Sequence, residues 1–287
     1  MDEYDKIIGS GGFGLVVKSN QTNTVVKLLY SAKSCEDAQI EYLTHLSIYD
    51  NIKQYLSKYQ LCISAPIDYE NTTIVKFSKE FSCYYRMSYI NSFDKNGLYH
   101  IILKEENVHM MNKLIGRVYT EPVSSSNPSR GFFATASYLK NLLEREPSHT
   151  KKDLKTVEDL TFRLGLIFAL LIFKCHYLPT DAEYVLARNH IGQICVCVLD
   201  FGMFSRINFD LKEVLPNKHM FILNKIVQNL QDIRDIDLYF PYEDDELYPT
   251  FIEGFTEGFH LAMKEEENDN LEIRKAKNYV FSQFINS

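Results

Sequence analysis

Gly9-Ser10-Gly11-Gly12-Phe13-Gly14-Leu15-Val16 is the stretch that decides the fold. Glycines between two apolar runs let the backbone approach phosphate groups and turn its N–H donors toward them. Ile7-Ile8 leads in and Leu15-Val16-Val17 leads out, so the stretch reads as strand, turn, strand. Two later segments join it. Val25-Val26-Lys27-Leu28 puts a lysine inside an apolar, β-branched strand, where an ammonium needs a partner or a ligand anion. Cys195-Val196-Cys197-Val198-Leu199 is a second apolar strand, and Asp200-Phe201-Gly202 closes it. A carboxylate at a strand end, followed by glycine, is what a Mg2+ site needs.

The glycine run lacks the Gly-Lys-Ser/Thr ending of a P-loop, and the strand after it argues against a dinucleotide-binding turn. Bulk properties narrow the field further. The 287 residues suit one large domain or two lobes, with 45% hydrophobic and 24% charged residues. A net charge of −7 argues against nucleic acid as a main partner, because phosphate-backbone binding needs a basic surface. The longest apolar run, residues 164–173, is too short to span a bilayer, and the charged opening Asp2, Glu3, Asp5, Lys6 is unlike a signal peptide, so no membrane partner is expected. The six cysteines form no Cys-x-x-Cys pair and read as reduced, buried thiols of a cytoplasmic protein.

Along the chain, residues 24–29 read as a third strand, and a helix opens near Ser34, where Ser34-x-x-Asp37 resembles a capping box. Residues 60–68, 72–77 and 83–90 read as further strands. Residues 134–145 and 156–175 read as helices, the second with Leu160, Leu164, Ile167, Phe168, Leu171 and Ile172 on one broad face. Residues 185–186 and 194–199 read as a hairpin with residues 189–192 at its tip. Beyond residue 213 the pattern is helical, interrupted between Pro241 and Pro249.

These elements, in this order, resemble the protein kinase family across roughly residues 4–205. The resemblance implies an α+β, bilobal protein-kinase-like fold. Residues 1–90 would form an N-lobe with a small antiparallel sheet and one helix, and residues 91–287 a mainly helical C-lobe. It implies ATP as the nucleotide, with Mg2+ as its companion. Gly9, Gly11, Gly12, Gly14 and Val16 would cover the nucleotide. Lys27 would hold phosphates and pair with a helix glutamate, Glu41 for preference and Glu36 as runner-up. Cys83-Tyr84-Tyr85-Arg86-Met87-Ser88-Tyr89-Ile90 fits the strand into the hinge, with Met87 in the gatekeeper place and Tyr89 beyond it. Asp200 would bind the metal.

The departure from the family lies in the catalytic loop. The register that keeps the histidine reads His176-Tyr177-Leu178-Pro179-Thr180-Asp181-Ala182-Glu183. Leu178 stands where the catalytic aspartate belongs, and Glu183 where the metal-binding asparagine belongs. Leucine neither accepts a proton nor orients a hydroxyl, and losing a general base costs ~10²–10⁴ in rate. The Ala-Pro-Glu ending of the activation segment is also missing after Gly202. Asp181 and Glu183 stay on the loop, two apart, where an extended backbone points both the same way. Either is a candidate displaced base, and with Asp200 they make a candidate three-carboxylate metal site. The alternative is that Asp181 caps a turn and Glu183 pairs with Arg188.

A narrower likeness joins Arg130-Gly131-Phe132-Phe133, Asp181-Ala182-Glu183-Tyr184-Val185-Leu186 and Leu199-Asp200-Phe201. Together they are similar to a fungal kinase-like domain family of unknown function. The sequence therefore leads to three expectations: a pseudokinase that binds nucleotide and acts through a protein partner, an atypical ATP-dependent phosphotransferase using Asp181 or Glu183, or a purely structural kinase fold that binds no nucleotide.

Overall fold

The computed structural model describes residues 6–10, 14–19, 23–30, 32–94, 97–104, 132–146, 154–264 and 271–287. Its elements run β1 (Lys6–Ser10), β2 (Gly14–Ser19), β3 (Thr24–Leu29), α1 (Ala32–Leu56), β4 (Leu61–Cys62), β5 (Pro66–Glu70), β6 (Ile74–Lys76), β7 (Lys79–Phe81), β8 (Cys83–Ser88) and β9 (Asn91–Ser92). Next come β10 (Tyr99–Ile102), β11 (Phe132–Thr135), α2 (Ala136–Arg145), α3 (Val157–Ala169), a π-helical turn (Leu170–Lys174), β12 (Tyr177–Leu178), β13 (Glu183–Arg188), β14 (Ile194–Leu199) and β15 (Ser205–Arg206). Three helices end the chain: α4 (Pro216–Ile236), α5 (Tyr248–Lys264) and α6 (Leu271–Ile285). This is an α+β chain with an N-terminal antiparallel sheet and a helical C-terminal part. It divides into two compact units, Met1–His100 with Tyr119–Phe133 and Asp181–Met203, and Ile101–Val118 with Ala134–Thr180 and Phe204–Ser287.

In the first unit the strands order β1-β2-β3-β8-β5, each antiparallel to its neighbour. Side chains alternate across a sheet, so Lys27 and Leu29 of β3 share a face with Tyr85 and Cys83, their register partners on β8. Helix α1 covers that face, packing Ala38 among Leu29, Cys83 and Tyr85. The opposite face buries Leu15, Val17, Leu28 and Phe81, with Ile74 of the β6–β7 hairpin against them. Glycine is obligatory at Gly14, where an added Cβ would lie 1.9 Å from the Leu28 carbonyl oxygen. A second sheet in this unit pairs β13 with β14 antiparallel, and β14 with β4 parallel. Asn189 shapes the β13–β14 turn, its Oδ1 accepting from the backbone N–H groups of Ile191 and Gln193.

Two expectations change here. Helix α1 begins at Ala32, so Ser34 lies inside its first turn and is not the cap of the helix. Cys35 and Cys83 form a disulfide, with Cα atoms 5.9 Å apart, so the reading of all six cysteines as reduced thiols is corrected. The two are 48 positions apart and meet only because α1 lies on β8, which spacing along the chain does not reveal.

In the second unit α3 and α5 cross at backbone contact. A Cβ on Gly254 would sit 2.0 Å from the Phe162 carbonyl oxygen, and one on Gly165 would sit 2.0 Å from that of Phe251. Around this crossing Phe168, Phe173, Phe251, Phe255 and Phe284 stack and interlock. Thr156 caps α3 by accepting from the Asp159 N–H. A π turn leaves carbonyls off the regular ladder, and the buried Lys277 ammonium donates to that of Phe173 at 2.7 Å. Lys104, also buried, closes the end of α4 by donating to the carbonyls of Arg234 and Asp235. Among the described residues no helix is long and apolar enough to cross a membrane.

The glycine crossing predicts the response to one methyl group. Gly254→Ala should destabilise the protein by about 3 kcal/mol, because the obstacle is helix backbone and not a side chain that can rotate away. Urea unfolding followed by circular dichroism measures this; an unchanged midpoint contradicts the close crossing.

Candidate functional site

Strand register brings the first pieces of the site together. Lys27 and Tyr85 face each other across β3 and β8. Glu41 descends from α1 onto both. The Lys27 ammonium donates to Glu41 Oε1 at 2.8 Å and to Oε2 at 2.6 Å. The Tyr85 hydroxyl donates to Glu41 Oε1 at 2.5 Å. Glu41 is 8% exposed, so its carboxylate is held by three charge-assisted bonds in place of water. Burial and the Glu41 charge push the Tyr85 phenol well above its ordinary value, keeping it a neutral donor. Glu36, the runner-up, is exposed. Tyr85 was not singled out from sequence; its place opposite Lys27 was the only available signal, and it required the strand register.

The Asp-Phe-Gly segment lies against the same helix. Phe201 stacks on the His45 ring, with centroids 4.4 Å apart and planes at 18°. His45 follows Glu41 by one helical turn, so both project from one side of α1. Its Nε2 lies 2.6 Å from the Ser64 carbonyl oxygen, which only accepts, so Nε2 carries the proton. Burial holds its pKa down at about 4, helped by the Lys27 charge and opposed by the Ser64 bond. Gly202 approaches Glu41 as well, since a Cβ there would lie 3.5 Å from Glu41 Oε2. Asp200 has φ 58 and accepts from the Gly202 N–H through its carboxylate.

Glu183 opens β13 and is half-buried, whereas Asp181 and Asp200 are exposed. Burial, then the charges of Asp200 and Asp181, raise the Glu183 carboxyl to about 7, against a smaller downward pull from Lys27. The acids are thus electrostatic neighbours. The extended backbone expected to align the loop acids is absent, because Asp181 adopts φ 59. Glu183 and Arg188 stand at opposite ends of β13, and the Arg188 guanidinium donates to the carbonyls of Phe93 and Gly192. Among the described residues no group of three His, Cys, Asp or Glu side chains is arranged to hold a metal ion. The donor set still fits Mg2+, a hard cation that commonly takes one or two carboxylates and completes its shell with phosphate oxygens and water. Asp200 offers an exposed carboxylate, and the negative field that raises Glu183 favours a cation.

The other expected residues are placed as follows. Val16 pairs in register with Lys27 and with Gly9. Met87 packs against the Leu29, Cys83 and Tyr85 cluster. Tyr89 carries the Lys18 ammonium 3.5 Å above its ring. Gly11 and Gly12 lie outside the described residues. In the second unit Leu178 is buried, and its backbone pairs with Ser205 between β12 and β15.

No protein-family model matches this chain, the narrower fungal likeness included. No curated protein matches it either. Solved structures similar to it include a microcompartment-associated aminopropanol kinase, at 10% identity over 98% of this chain and 90% of that one, with a TM-score of 0.28. The Rio2 kinase of Chaetomium thermophilum, in an ADP/Mg2+-phosphoaspartate complex, aligns at 11% identity over 98% and 71%, with a TM-score of 0.27. The choline kinase LicA of Streptococcus pneumoniae aligns at 9% identity over 100% and 95%, with a TM-score of 0.21.

His45 makes the folding of this site sensitive to acid. Its folded pKa, about 4, lies below the unfolded value near 6.5, as does that of buried His100. The stability it contributes is complete above pH 6.5 and is lost as pH falls toward 4. The slope it adds is ~1.4 kcal/mol per pH unit in that window. His45→Gln keeps a donor for Ser64 and should flatten the stability–pH curve between pH 6 and 4.5 by that amount, measured by urea unfolding at each pH.

Proposed function

We propose that this protein is a kinase-like nucleotide-binding protein that takes ATP with Mg2+ and acts as a pseudokinase or regulatory binding protein, working through a protein partner. The observation that carries this reading is the buried Lys27–Glu41 pair, steadied by Tyr85, on the same helix that holds Phe201. A lysine fixed in this way keeps its ammonium available to an anion without leaving its buried carboxylate bare. Residues 9–14 would cover the phosphates, Lys27 would hold them, and Met87 and Tyr89 would border the base. Asp200, with Glu183, would hold Mg2+, which would screen the phosphate charge. Leu178 is what turns the reading from transfer to binding. It is apolar and buried, and it has no group that accepts a proton from a substrate hydroxyl.

A second reading, an active atypical phosphotransferase, is favoured by one observation. Glu183 lies within electrostatic reach of both Asp200 and Asp181, so a loop acid shares a field with the proposed metal ligand.

Thermal unfolding with ATP and Mg2+ tests the nucleotide site. Ligand at a hundred times its dissociation constant stabilises by ~2.7 kcal/mol, roughly 5–10 °C for a chain of this size. Asp200→Asn should abolish the Mg2+-dependent part of that shift. Lys27→Met should weaken ATP binding about 10-fold or more, the worth of a hydrogen bond to a charged group. No shift with ATP, ADP or GTP, with or without Mg2+, defeats both readings. Transfer of the labelled γ-phosphate to the protein itself or to general substrates, abolished by Asp200→Asn, replaces the pseudokinase reading with the second. Loss of that transfer in Asp181→Ala or Glu183→Ala then locates the base.

A further inference from the structure

Three thiols of the first unit share one place. β4 runs parallel to β14, and its register sets Cys62 against Cys197. Cys195 and Cys197 alternate along β14 and therefore point to the same side. Both are neighbours of the Cys62 sulfur, and the Cys197 thiol donates to the Val198 carbonyl oxygen. Around them pack Val185, Ala187, Ile90, Leu98 and Leu199. Exposure separates the three: Cys195 and Cys197 are fully buried, and Cys62 is half-buried. The arrangement is one partly exposed cysteine backed by two fully buried ones.

The buried thiols act on the partly exposed one. The neighbouring Cys195 and Cys197 thiols favour the Cys62 thiolate and draw its pKa below the ordinary thiol value, against burial and with a smaller contribution from His190. Burial first, and then the neighbouring Cys62, push Cys195 and Cys197 upward, so those two keep their protons. Distance permits closure. Register partners on neighbouring strands lie about 5 Å apart, inside the roughly 4.4–6.8 Å Cα separation that a disulfide spans.

We propose that Cys62 is a modification site for hydroperoxides, with Cys197 as the thiol that closes a disulfide onto it. In the first step the Cys62 thiolate attacks one peroxide oxygen. The O–O bond breaks, and the other oxygen leaves as alkoxide or hydroxide and takes a proton. Cys62 becomes a sulfenic acid, oxidised by two electrons, and the peroxide is reduced to an alcohol or water. In the second step the Cys197 sulfur attacks the Cys62 sulfur. The sulfenic hydroxyl departs with the Cys197 proton as water, and a Cys62–Cys197 disulfide remains. The site needs no nucleotide, so it stands or falls separately from the function proposed above.

Tryptic mapping without reductant reads the product directly. Cys62 lies alone in the fragment of residues 59–76, and Cys195 and Cys197 share the fragment of residues 189–206. The existing Cys35–Cys83 bridge joins residues 34–53 to residues 80–86, so the two linkages differ in mass. After equimolar hydrogen peroxide, the full-length protein should yield residues 59–76 linked to residues 189–206. Cys195→Ala should keep that linkage. Cys197→Ala should lose it and accumulate a dimedone adduct on Cys62. Cys62 left as a free thiol in the wild-type protein overturns the proposal, as does a linkage that survives Cys197→Ala.

Discussion

A buried carboxylate has to be satisfied from several sides, and Glu41 imposes that condition on the whole first unit. Taking the charge out of water is costly, and the cost is met only if donors arrive with good geometry. Lys27 and Tyr85 come from neighbouring strands whose register sets them opposite each other. Helix α1 must therefore sit at one height and one rotation above the sheet. The Cys35–Cys83 bridge ties the same helix to the same strand before Glu41, and the His45 bond to Ser64 ties it again one turn later. Three attachments of different chemistry define one helix position.

That helix position organises the charges. With Glu41 paired to its partners, the charges of Asp200 and Asp181 add to burial in raising the carboxyl of half-buried Glu183. Phe201 is held on His45, so the backbone that carries Asp200 is anchored through its neighbour. Leu178, by contrast, is buried and apolar and offers no proton acceptor.

Much of the site was legible because its residues are unusual for their surroundings. A lysine in an apolar strand, glycines between strands and a carboxylate closing a buried strand each contradict local burial preferences, and each contradiction marks a position. Other parts look ordinary in one dimension. Tyr85 reads as a strand aromatic, His45 as one polar residue on a long helix, and Gly254 as a weak point in a helix. Their roles arise from partners many positions away: Glu41, Phe201 and the Phe162 carbonyl. The cysteines misled for the same reason, since their spacing says nothing about which strand lies beside which helix.

The sequence by itself determined the class of elements and their order: a glycine-rich strand pair, a lysine strand, a long helix, a β13–β14 hairpin ending at Asp200 and a helical C-terminal part. Periodicity and turn chemistry are local, so they survive without the fold. The tertiary structure decided which side chains meet. It selected Glu41 over Glu36 for Lys27, joined Cys35 to Cys83, kept Glu183 away from Arg188 and gathered Cys62 with Cys195 and Cys197. Strand register and helix placement set those meetings, and both are properties of the packed chain that no single segment carries.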